Sequence, residues 1–356
     1  MKRRDFIKKS VAGTTALGAF GCSATRPRHI DLELKIAGFS TEVTKSKPSS
    51  GTMPSGEIGT TGITVSKFGY GAHLIKQVAL HEKERQKMIR EAYDLGITFF
   101  DVYDRGIWEI YQYEPMGRHL APMINDVVIS IMMEPFDGRT LEGEFERDLT
   151  LFRRDYIDMV RSHAPSPESS YWGNWEKLFR LKEKGYIRAV GTPIHYPKDI
   201  EIILEQIPID YVFIPYNFYH NLLADGNKGG NFNPLVAELR KRGIGIITMK
   251  PFGSDWFVNS LIKAAETLDE THEISLPQAV LRYIINSGLN PDATLGGMYM
   301  LDHVYENVEA YYKTEISDEE KKLLDKLKKV ARVSVSACLP DYYKFLGEWA
   351  EEYSLV

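Results

Sequence analysis

The residues that first suggest chemistry lie in FFDVYDRGIWEIYQYEPMGRHL, residues 99–120. There Asp101, Asp104, Arg105, Tyr103, Tyr111 and Tyr113 follow directly on an apolar run. A carboxylate and phenols behind a buried type of strand suit proton transfer at a pocket rim, because burial and neighbouring charge move such groups toward useful acidity. His163, His195, Asn217 and Lys250 each close a similar apolar run further along, and Met132 closes another. No His-Glu-x-x-His, no paired cysteines and no close histidine cluster is present, so no metal centre is expected, and no Gly-x-Ser-x-Gly elbow marks a serine nucleophile.

The elements that must position these residues show in the rhythm of the chain. Eight short apolar runs, beginning at SKFGYGAH (from 66) and ending at ATLGGMY (from 293), alternate with amphipathic stretches such as EKERQKMIREAYDLG and WEKLFRLKEKG. Glycine follows several of the helical stretches, where a left-handed cap is easiest. Strands separated by helices form parallel sheets, and eight such units in about 250 residues predict an α/β fold of the (β/α)8 TIM-barrel type. The first strand is not followed by Gly-x-Gly-x-x-Gly, which counts against an open dinucleotide-binding sheet. In such a barrel the active site lies at the carboxyl ends of the strands, which is where Asp101, Met132, His163, His195, Asn217 and Lys250 fall.

The chain carries 44 Lys and Arg against 49 Asp and Glu, with no basic block in its body, so no nucleic-acid partner is expected. Its start differs from the rest. MKRRDFIKKSVAGTTALGAFGC has a basic cluster, an apolar segment too short to span a bilayer, and a terminal Cys22. Arg3-Arg4 with the residues after them resembles a twin-arginine export signal, and Ala19-Phe20-Gly21-Cys22 resembles a lipoprotein cleavage box. The expected organisation is a signal peptide over 1–21, a flexible tether over 22–56, the barrel over 57–331 and a C-terminal tail over 332–356 packed on it. Export would leave the protein in the periplasm or on a membrane, which it would touch only through a lipid on Cys22. Cleavage removes five basic residues and one acidic residue, so the mature chain becomes more acidic still. Cys338 is then the single thiol, which can make no intrachain disulfide.

Read in order, the strand ends resemble the aldo/keto reductase family. TTGITVSKFGYGAH is similar to that family's opening hairpin and first strand, GITFFDVYD to its Phe-Asp-Thr motif, and RRDYIDMVRSHAP to the segment with its active-site histidine. KGYIRAVG, GIGIITMKPFG and LGGMYMLDHVYENVEAY continue the match, over about residues 57–315. The resemblance implies an oxidoreductase in which a tyrosine phenol protonates a substrate carbonyl while a nicotinamide supplies hydride. It places the aspartate at Asp101, the histidine at His163 and the tyrosine at Tyr111, with Tyr113 the runner-up. It implies NADP(H) as cofactor, with Tyr216, Asn217, Lys250 and Asn307 toward it, and a small-molecule substrate. The tail SACLPDYYKFLGEWAEEY is similar to that of members with iron–sulfur segments, but Cys338 alone ligates no cluster.

Four departures from the family pattern stand out. Its lysine, which pairs with the aspartate and makes the phenol a better acid, falls on Met132, and a thioether carries no charge. Its Ser-Asn pair falls on Pro193 and Ile194, its glutamine on Phe213, and the segment after the eighth strand lacks the cation that grips a 2′-phosphate. Lys250 or Arg105 could supply a cation instead, and His195 and Asn217 other polar groups. Two functions are therefore expected in competition. One is an exported oxidoreductase using NADP(H) in a modified site. The other is a barrel that has lost nicotinamide binding and acts as a surface-tethered binder of a sugar or other small molecule, or as a cofactor-independent acid–base enzyme.

Overall fold

The computed structural model describes residues 41–72, 81–103, 113–133, 140–162, 172–194, 204–218, 234–253 and 274–338. A two-stranded antiparallel hairpin, β1 (Ser55–Glu57) and β2 (Thr64–Ser66), precedes eight parallel strands: β3 (Phe68–Gly71), β4 (Phe99–Val102), β5 (Val128–Met132), β6 (Ile157–Arg161), β7 (Ile187–Pro193), β8 (Tyr211–Pro215), β9 (Gly245–Met249) and β10 (Ala293–Gly297). They close in chain order, β10 pairing with β3, into the expected barrel. The described helices are α1 (Glu82–Asp94), α2 (Tyr113–Leu120), α3 (Leu141–Phe152), α4 (Trp172–Glu183), α5 (Pro234–Lys241), α6 (Leu276–Asn286), α7 (Leu301–Tyr312) and α8 (Asp318–Cys338). The last of these runs across the boundary drawn at residue 331.

The strands are apolar on both faces because both are covered. Outward side chains such as Phe68, Phe100, Ile129, Val160 and Val212 pack against the helices. Inward ones form a second core of Phe99, Met159, Ala189, Tyr211, Phe213, Ile247 and Leu295. The hairpin plugs the foot of that inner core with Ile58, Ile63 and Val65, all buried. Caps set several helix ends: Thr140 accepts from the Gly143 N–H at the start of α3, Ser275 accepts from the Gln278 N–H at the start of α6, and Gly243 leaves α5 with φ 73°.

Three carboxylates fasten the foot of the ring on alternate strands. Asp158 accepts the Ile129 N–H at 3.0 Å, Asp210 the Val190 N–H at 2.7 Å and Asp292 the Ile246 N–H at 2.8 Å, each from the preceding strand. Each also binds a base: Arg154 and Arg188 at Asp158, Lys182 at Asp210 and Arg240 at Asp292. Asp292 further accepts the Gly59 N–H at 3.0 Å, tying the hairpin plug to the ring.

The stretch 41–56, placed in the tether by its composition, differs from that expectation over its last part. From Thr44 onward it is held against the barrel: Asp302 of α7 accepts from Thr44 and Lys45, and Met53 is buried among the helices. Residues 1–40 lie outside the described residues.

Asp158 is buried with two guanidiniums and a strand N–H on its carboxylate, so its loss leaves the buried Arg154 charge and the Ile129 N–H without their acceptor. Replacing Asp158 with Ala is expected to lower stability by about 3 kcal/mol, read as a fall in the urea midpoint at unchanged slope.

Candidate active site

The inward positions at the carboxyl ends of neighbouring strands decide what the barrel mouth contains. Asp101 is the third residue of β4 and, like Phe99 two places before it, points inside. By the same alternation Ser130 and Met132 point inward on β5, and Met159 and Arg161 on β6. The pairing places Asp101 beside Ser130 and Met132 beside Arg161.

There the cation beside Asp101 comes from β6. Arg161 grips Asp101 with both terminal nitrogens, Nη1 on Oδ1 and Nη2 on Oδ2 at 2.9 Å, and Nη1 also donates to the Ser130 Oγ at 2.9 Å. Its guanidinium lies over the Phe213 ring, 4.7 Å from the centroid, in cation–π contact. Both partners are buried, at 8% and 6% exposure. Burial pushes the Asp101 carboxyl up, while Arg161 and Ser130 pull it down. Burial likewise works against the Arg161 charge, but Asp101 together with Tyr211 and Tyr113 holds the guanidinium above its usual range. With both oxygens engaged, Asp101 is an anchor for a fixed positive group rather than a free base.

Beside the pair stands Tyr211, its phenol fully buried and pushed up by burial, with Arg161 and Ser130 acting against that rise. Its ring occupies the space above Gly191, where a Cβ would overlap it, so a glycine on β7 is needed for the tyrosine on β8.

Of the other residues expected at the site, Tyr113, the runner-up acid, opens α2 almost fully buried, and its phenol donates to the Met132 carbonyl oxygen, 5.5 Å from the Phe152 ring centroid to centroid. Tyr216 and Asn217, directly after β8, are completely buried, and the Tyr216 N–H donates to the Met249 carbonyl at 3.0 Å. Lys250, half-buried after β9, takes a left-handed φ of 55° and accepts the Gly253 N–H at 3.0 Å on its carbonyl. Asn307 is buried on α7, far along the chain from Asp101. Tyr111, His163, Arg105 and His195 lie outside the described residues. Arg161 was not singled out as the partner of Asp101; the signal was an arginine two places before His163 inside an apolar strand, in the inward phase.

A nicotinamide dinucleotide phosphate needs cations for its phosphates, and barrels of this kind bind phosphate beside the last two strands and a following helix N-terminus. Lys250 offers one on β9. The segment Gly297–Asn307 offers none, and its charged first-turn residue, Asp302, is acidic and already saturated by residues 44–45. Burial pushes the His303 imidazole down, so it stays neutral at neutral pH. As it stands, the first turn of α7 does not fit the 2′-phosphate end of NADP(H).

A family model described as "Aldo/keto reductase family" matches residues 67–329. An L-galactose dehydrogenase from Arabidopsis thaliana is 24% identical over 286 residues, 72% of this chain and 88% of that protein. Among solved structures, an aldo-keto reductase from Klebsiella pneumoniae in complex with NADPH superposes with TM-score 0.61 at 17% identity, over 79% of this chain and 96% of that one. The holo form of aldo-keto reductase AKR11C1 from Bacillus halodurans gives 0.58 at 19% identity, over 77% and 96%. These two likenesses bear on the fold.

Removing Arg161 leaves Asp101 as an uncompensated buried carboxylate. Arg161→Leu is expected to cost about 3–5 kcal/mol at neutral pH. The native Asp101 pKa then lies further above its unfolded value, so the native state binds more protons, and stability should fall as pH rises from about 4 toward 8. Adding Met132→Lys in that background returns a cation from the neighbouring strand and should recover part of the loss, measured by denaturant titration across that pH range.

Proposed function

Because the chain belongs to the aldo/keto reductase family, we propose that it is an oxidoreductase that reduces a carbonyl, or oxidises the corresponding alcohol, with NADP(H) in a modified site. The observation that carries this reading is the buried Asp101–Arg161 pair. It keeps a carboxylate–cation partnership at the mouth although the position of the family's lysine is Met132. In this reading Tyr111 donates the proton to the carbonyl oxygen and His163 orients that oxygen, while Asp101 and Arg161 hold a fixed polar floor beneath them. An unassisted phenol near pKa 10 is a weak acid at neutral pH, so the positive pole of Arg161 and the low dielectric of the mouth are what favour proton release. A small carbonyl compound is the substrate class, and no nucleic acid enters.

The basic start, the short apolar segment and Cys22 support export by the twin-arginine route, with membrane contact through a lipid on Cys22 alone.

A second reading is favoured by one specific observation, the acidic first turn of α7. The barrel would then bind a sugar or another small molecule, or run acid–base chemistry, without a dinucleotide. Titration of the full chain with NADPH and with NADH, followed by calorimetry, separates the two. Saturable binding of either below about 1 mM, roughly 4 kcal/mol of binding free energy, is expected for the reductase. An absence of binding at millimolar concentrations of both would leave the second reading.

A further inference from the structure

We draw no further inference here: the strongest candidate, the exposed pair of tyrosines at the foot of the barrel, Tyr156 before β6 and Tyr186 before β7 with the Arg154 guanidinium over the first ring, carries nothing because nothing in the structure shows what covers it.

Discussion

A closed ring of parallel strands turns alternate side chains into a space that water does not reach, so any charge placed there has to be answered from inside the ring. The mouth of this barrel is organised by that requirement. Asp101 on β4 is answered by Arg161 on β6 across Ser130 of β5, and the planar guanidinium suits the task in a way an ammonium would not. It meets both carboxylate oxygens in one plane and lays its face on Phe213. Met132 and Phe213 flank this arrangement: Met132 pairs in register with Arg161, and the guanidinium lies over the Phe213 ring.

The same chemistry recurs at three depths with different results. At the foot, Asp158, Asp210 and Asp292 join a strand N–H to a basic side chain, so each couples a strand to the layer outside it. At the mouth both partners point inward from strands, so the pair belongs wholly to the inner core. On the outer surface Asp302 takes its donors from Thr44 and Lys45. Burial on one side of its carboxylate pushes it up, but the donors from Thr44 and Lys45 prevail and keep it ionised well into the acid range. The deeper pairs shape the ring; the shallow one fastens residues 44–45 to its outside.

Much of the fold was legible because it depends on local pattern. The eight apolar runs, the hairpin before them and the glycine at the end of α5 are all set by near neighbours. The partner of Asp101 was not, because strand alternation tells which way Arg161 faces but not what stands across the ring, 60 residues away in the chain. Residues 44–54 misled for a related reason. Serine, threonine, proline and glycine read as a loose tether, and their order comes from a carboxylate 258 residues on, which leaves no trace in composition. Tyr113 could not be told from Tyr111 by spacing; the structure gives Tyr113 a carbonyl of its own to bind.

That last bond and the Asp101–Arg161 pair also fix what is not free at the mouth. Tyr113 opens α2 with its phenol fastened to the end of β5. Arg161 ends β6 locked to Asp101 on the inner wall. Both are held by strand and helix ends of the same ring. With both Asp101 oxygens engaged and the Tyr113 O–H donating to a carbonyl, neither group stands free as an acid or a base. The buried pair sets the charge on that wall of the mouth, where each partner is answered by the other.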